Sequence, residues 1–168
     1  MSDLLEKILF LEKVKIFQGL SLEELGEIAQ IVETEEYHEE EILFRMGDPG
    51  NYAYILVSGA VDLSVSDKKG RKQSSRKLGS GVCFGELALL DGRSRSATAK
   101  VLEESIIAVI GREDFLNLVH KMPAIAVSII EQMSSQVRES NRKINALRGF
   151  SREFSNLSHK VTAILKGD

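Results

Sequence analysis

Phe84-Gly85-Glu86-Leu87-Ala88-Leu89-Leu90-Asp91-Gly92-Arg93-Ser94-Arg95-Ser96-Ala97-Thr98 describes, in order, the end of a strand, a glycine, one short helical turn, a tight turn at Asp91-Gly92 and an arginine entering the next strand. A glycine at 85 lets backbone approach a ligand closely. The free N–H groups of Leu87 and Ala88, at the start of the short helix, face an anion. Arg95 adds a planar, permanently charged fork suited to two phosphate oxygens. A hydrogen bond to a charged group contributes about 1.5–3 kcal/mol, so the arginine and two amides fix a phosphate firmly. Glu86 is the odd member. A carboxylate beside a phosphate is repulsive unless it accepts hydrogen bonds from a sugar hydroxyl, and that combination points to a ribose phosphate folded back on itself. The plainer alternative makes Glu86 and Arg95 a surface ion pair.

Upstream of this stretch the pattern is that of short strands and turns. Ile42-Leu43-Phe44 precedes the turn signal Gly47-Asp48-Pro49-Gly50. Tyr52 to Val57 is a strand candidate, punctuated by Ser58-Gly59, and Val61, Leu63 and Val65 then alternate with polar residues as in a half-buried strand. After a turn at Asp67-Lys68-Lys69-Gly70, residues 77–84 are glycine-broken and extended. Downstream, Ala97, Ala99 and Val101 alternate with polar residues, and 105–110 is a continuous apolar strand. Strands of this length and spacing imply a sandwich or roll. Helices flank them. Asp3 caps a first helix, Ser21 and Glu24 form a capping box for a second that faces Leu22, Leu25, Ile28 and Ile31 or Val32 inward, and Val14, Ile16, Phe17 and Leu20 form a joint between the two. Phe115, Leu118 and Val119 mark a short helix, and Pro123 opens a long one with two seam rows, Ile130, Val137, Ile144 and Met133, Ser140, Leu147, Phe154, Val161. At Gly149 two courses are open: the helix continues, or it breaks and restarts near Ser151.

Composition narrows the function. The chain has 168 residues, 43% of them hydrophobic, enough for a proper core. Net charge is −3, divided as −9 over residues 1–48 (13 acidic, 4 basic), +3 over 49–130 and +3 over 131–168. The acidic run from Glu33 to Glu41 would repel nucleic acid and reads as a solvated face. Cys83, the one cysteine, excludes an internal disulfide and any cysteine-based metal site, and reads as a small core residue. His38, His120 and His159 have no ligand spacing, so no metal is expected. Gly79-x-Gly81-x-x-Phe84 is not a dinucleotide fingerprint. No nucleophile–base pair accompanies the candidate pocket, so no catalytic residue is assigned and no enzyme is expected. Without an apolar run of about 18 residues or a basic leader, the expectation is a cytoplasmic protein with no membrane span.

The stretch F-G-E-L-A-L-L, a turn, then R-S-A-T resembles the phosphate-binding cassette of cyclic-nucleotide-binding domains, with the same nine-residue spacing from Glu86 to Arg95. Gly47-Asp48, Tyr54-Ile55-Leu56-Val57 and Ser58-Gly59 look like the frame of the same family, and the resemblance covers residues 14 to 145. It implies a mainly β fold with flanking helices: an eight-stranded β-roll (jelly roll) with N-terminal helices and a long C-terminal helix. The expected division is 1–32 N-terminal helical segment, 33–121 β-roll and 122–168 C-terminal lid or dimerisation helix with its extension. By the resemblance, Glu86 binds the ribose 2′-hydroxyl, and Arg95 binds the cyclic phosphate with the Leu87 and Ala88 amides and Ser96. Phe84, Gly85 and Ala97 complete the cassette. Ser96, similar to the bacterial catabolite activator proteins, favours cAMP, with cGMP the alternative because a hydroxyl also reaches a guanine amino group. Ser140 and Asn141 lie where lid residues touch the base; alternatively, they set register in a helix pair.

The resulting expectation is a stand-alone cyclic-nucleotide receptor whose long helix closes over the pocket and signals to an unknown protein effector. The seam implies a homodimer through that helix. Only about 20 residues follow it, too few for a winged helix-turn-helix, so the chain alone is not expected to bind DNA. The stripe Phe150, Phe154, Leu157, Val161 and Leu165 reads as a docking surface, as more coiled coil, or as a helix folded back on the roll. The competing class is a nucleotide-free β-roll scaffold or dimerisation module.

Overall fold

In a computed structural model of the chain, the backbone is described for residues 3–67 and 69–166, and the side chains for residues 3–67 and 69–146. Two units emerge, residues 1–128 and residues 129–168. The first holds all the strands and opens with two helices. Helix α1 (Leu4–Leu11) takes its cap from Asp3, which accepts the Leu5 N–H, and α2 (Leu22–Ile31) begins with the expected capping box. Between them Val14, Ile16 and Phe17 are fully buried, with a 3-10 turn at Lys15–Phe17. Leu25, Ile28 and Val32 face inward as expected, whereas Leu22 at the first turn of α2 lies exposed.

A single antiparallel sheet follows: β1 (Glu33–Tyr37), β2 (Ile42–Phe44), β3 (Tyr52–Ser66), β4 (Lys72–Leu78), β5 (Cys83–Phe84) and β6 (Thr98–Gly111), with order β1-β6-β3-β4, β2 against β6 and β5 against β3. Six strands stand where eight were expected among the described residues, for a physical reason. The segments 52–57 and 61–65 are two halves of β3, and those at 97–101 and 105–110, apart from Ala97, fall in β6. The β3–β6 ladder shifts register between Leu56 and Val61, so each long strand bends there without losing its partner. Gly59 sits in this bend at φ +94, a conformation that disfavours side chains, with Ser105 where its Cβ would be. The sheet's inner face carries one core cluster that includes Phe44, Tyr54, Leu56, Val61, Leu78, Phe84, Val101 and Ile107.

The short helix α3 (Glu86–Asp91) sits between β5 and β6, and α4 (Arg112–Lys121) follows β6, burying Phe115 and Leu118. Helix α5 (Pro123–Lys166) takes the first of the two courses open at Gly149 and runs through it. A helical glycine costs about 1 kcal/mol, too little to stop a helix that has several turns on either side of it. Within the second unit Ile130, Val137 and Ile144 are 61%, 57% and 47% exposed, an apolar row open along the helix. The stripe from Phe150 to Leu165 lies outside the described side chains.

Candidate functional site

Gly85 carries the first turn of the site. Its φ of +79 and ψ of 0 are left-handed, so the chain leaves β5 and enters α3 at a sharp angle. A Cβ here would lie 2.7 Å from Arg95 Nη1, so glycine is demanded by space as well as by torsion. Gly50 plays a parallel part, since a Cβ there would fall 2.3 Å from Ala88 Cβ. Two glycines thereby bring the β2–β3 turn, α3 and the arginine into contact. The first-turn N–H groups of α3, Leu87 and Ala88 among them, have no intrahelical acceptor.

Arg95 is 4% exposed. Its backbone is held by the Gly47-Asp48 turn: Gly47 N–H donates to Arg95 O at 2.9 Å, and Arg95 N–H donates to Asp48 O at 2.8 Å. Its side chain turns inward, donating from Nη1 to Gly85 O and from Nη2 to Tyr52 O, both at 2.7 Å. The guanidinium carbon lies 4.2 Å from the centre of the Phe44 ring and 5.6 Å from that of Tyr54. Nε is buried with no hydrogen-bond partner, and no carboxylate forms an ion pair with this arginine among the described residues. Burial pulls its pKa down, yet a guanidinium stays charged in proteins. The result is a buried cation whose two carbonyl contacts use two of five N–H groups and whose charge is not neutralised.

Glu86, 6% exposed, is the first residue of α3. Burial raises its carboxyl above the usual range; its own backbone N–H, Arg76 and Arg95 oppose the shift. Among the described residues its carboxylate accepts no side-chain hydrogen bond, so it keeps acceptor capacity for a hydroxyl. Glu86 and Arg95 are therefore not the surface pair of the plainer alternative; both are buried. Phe84 is buried opposite Tyr54, Leu87 and Ala97 are half-buried, Ala88 is buried and Ser96 is exposed. Arg93, expected to be solvated, is exposed beside Asp91. Ser140 and Asn141 belong to the second unit, where both are exposed on α5. The residues that escaped the sequence are the ones that grip Arg95: the Tyr52 carbonyl and the Phe44 and Tyr54 rings. Nothing local announces them, because only the pairing of Phe44 with Ala99 and of Tyr54 with Phe84 brings the rings together.

A family model described as the cyclic nucleotide-binding domain matches residues 34–122, from β1 through α4. The chain belongs to this family. The chain is 30% identical over 132 residues to the cyclic AMP receptor protein of Thermus thermophilus, covering 79% of this chain and 61% of that protein. It is 32% identical over 132 residues to the cAMP-dependent protein kinase regulatory subunit of Debaryomyces hansenii, covering 79% of this chain and 28% of that one. The crystal structure of Thermus thermophilus catabolite activator protein matches with a TM-score of 0.73 at 30% identity, over 79% of this chain and 62% of the other. The chain thus spans less than two thirds of these relatives' lengths. A cleft of about 420 Å³, lined by Glu33, Glu35, Tyr37, Tyr52, Tyr54 and Asp114 among others, shares Tyr52 and Tyr54 with the surroundings of Arg95 but contains none of residues 84–98. Its carboxylates would oppose a phosphate. No described helix is long and apolar enough to cross a membrane, and no described group of three His, Cys, Asp or Glu could hold a metal.

Proposed function

We propose that this cyclic nucleotide-binding domain is a cytoplasmic receptor for cAMP, with cGMP as the alternative ligand, and that it passes its signal to a partner protein through movement of α5. The observation that carries the reading is the un-neutralised, buried Arg95 guanidinium beside a buried Glu86 with acceptor capacity to spare. A ribose cyclic phosphate satisfies both: its phosphate oxygens take the Arg95 N–H groups and the α3 amides, and its 2′-hydroxyl donates to Glu86. Ser96, exposed next to the arginine, would face the purine. Ser140 and Asn141 would close on the base, supplied by α5. The ligand shifts the equilibrium only by its difference in affinity for the open and closed helix, and that difference is the signal. The exposed row Ile130, Val137, Ile144 supports pairing of two chains along α5. Relatives that are receptors and regulatory subunits by name support a sensor rather than an enzyme.

Calorimetric titration with cAMP and, separately, cGMP tests the assignment. Wild type binds one of them, and Arg95→Ala loses about tenfold to a hundredfold in affinity, as expected for a lost charge-assisted hydrogen bond. Equal affinity in the two proteins refutes the role of Arg95. A second reading, the nucleotide-free scaffold, draws on one observation: Nη1 and Nη2 are already held by Gly85 and Tyr52 carbonyls. Wild type that binds neither nucleotide selects it.

A further inference from the structure

We infer that Phe44, with Tyr54 and Phe84, forms a three-ring platform that positions the Arg95 guanidinium for an anion, Phe44 being the positioning residue on which ligand affinity depends. The inference rests on the reading of Arg95 as the phosphate ligand. Phe44 and Tyr54 lie 5.6 Å apart between ring centres, Phe44 and Phe84 6.3 Å, and Tyr54 and Phe84 5.5 Å in a stacked pair. Arg95 sits over the first two, 4.2 Å from the Phe44 centre. Gly85 completes the packing: a Cβ there would lie 3.4 Å from Tyr54 and 3.5 Å from Phe44 as well as against the guanidinium.

The choice of an aromatic face has a chemical logic. A buried cation needs compensation for lost hydration. A carboxylate would supply it, but it would also neutralise the charge and compete with an incoming phosphate. The negative face of a ring attracts the cation through its quadrupole without competing for its in-plane N–H groups. Two carbonyls and a ring thus fix the plane of the fork from different directions, while Nε remains without a protein acceptor. Phe44 has no polar atom in its side chain and contributes nothing to ligand contact in this account. It acts through Arg95.

The test replaces Phe44, in the full chain, by phenylalanine bearing one, two and three ring fluorines. Fluorination nearly preserves ring size and weakens the negative face stepwise, a change to which simple packing is insensitive. Affinity for cAMP and cGMP is measured by calorimetry alongside the unfolding midpoint. The expected result is a graded loss reaching about tenfold with three fluorines, at nearly constant midpoint. A flat series overturns the inference. Phe44→Leu supplies a second readout in the ligand-free protein: the Arg95 Nε–H proton resonance, shifted by the ring current in wild type, moves back when the ring is gone. A resonance indifferent to residue 44 also overturns it. If wild type binds neither nucleotide, the ligand assignment of Arg95 fails, and the resonance still decides the platform.

Discussion

A carboxyl group taken out of water holds its proton more tightly, and Glu86 is in that position. The sign of the consequence follows from linkage. Its folded pKa lies above the unfolded one, so the folded state binds the proton better; the stabilisation is fully present below the unfolded value, near 4.5, and is lost as pH rises through the folded value. Glu86→Gln removes that dependence. The Gln variant is therefore expected to melt higher than wild type at pH 7, with the two converging as pH falls towards 4; parallel curves would refute the burial argument. His38, whose pKa is raised by its hydrogen bond to Glu104, titrates equally in both proteins and cancels. The same substitution should weaken nucleotide binding, because an amide is a poorer acceptor for a ribose hydroxyl. A stability gain with an affinity loss marks a residue kept for a ligand. At this scale the sequence was informative wherever a residue type was itself unusual: Gly85, Glu86 and Arg95 each stood out by chemistry. Phe44, Tyr52 and Tyr54 did not, since an aromatic in a strand is ordinary and a backbone carbonyl has no sequence signature at all.

The bend in β3 shows how an element can hide in plain composition. Gly59 has φ +94, and a Cβ there would lie 2.1 Å from Ser105 Oγ and 2.7 Å from Glu104 O. Ser105 cannot step aside freely, because its hydroxyl receives the Ala60 N–H and donates to Glu103 O. Gly59→Ala is therefore expected to destabilise by about 2–5 kcal/mol, strain and overpacking adding together. A denaturant midpoint within error of wild type would show that the bend relaxes. The punctuation at Ser58-Gly59 was legible in the sequence, but it reads equally as a turn or as a bend. Only the continuous ladder with β6 makes one strand of two apolar segments. Strands β1 and β4 were illegible for the opposite reason. Glu33–Tyr37 and Lys72–Leu78 have too few apolar residues to alternate, and they form at the ends of the sheet order because β6 and β3 offer them a ladder. Helix caps were legible to the residue, since Asp3, Ser21 and Glu24 satisfy local backbone groups that no tertiary contact needs to arrange.

For the molecule as a whole, the two units place different demands on the chain. The first is a complete core; the second is one long helix with an exposed apolar row, which a lone helix in water does not explain. If two chains pair along it, Val137→Asp places two carboxylates in the seam. The variant is then expected to sediment as a monomer at micromolar concentration where wild type sediments as a dimer. Wild type that is already a monomer, with and without ligand, removes the seam as an interface. The N-terminal charge of −9 and the balance of +6 beyond residue 48 are surface properties that composition revealed directly but that fix no part of the fold. Two backbone hydrogen bonds join the Gly47-Asp48 turn to Arg95. Neither partner is in a helix or strand, yet each amide hydrogen is held in a backbone hydrogen bond to the other segment. In deuterated water Gly47 and Arg95 should retain their protons on the timescale of the sheet's own amides, while Ser94 and Ser96 beside them trade within seconds, so a pair of late-exchanging islands would trace the anchor from outside.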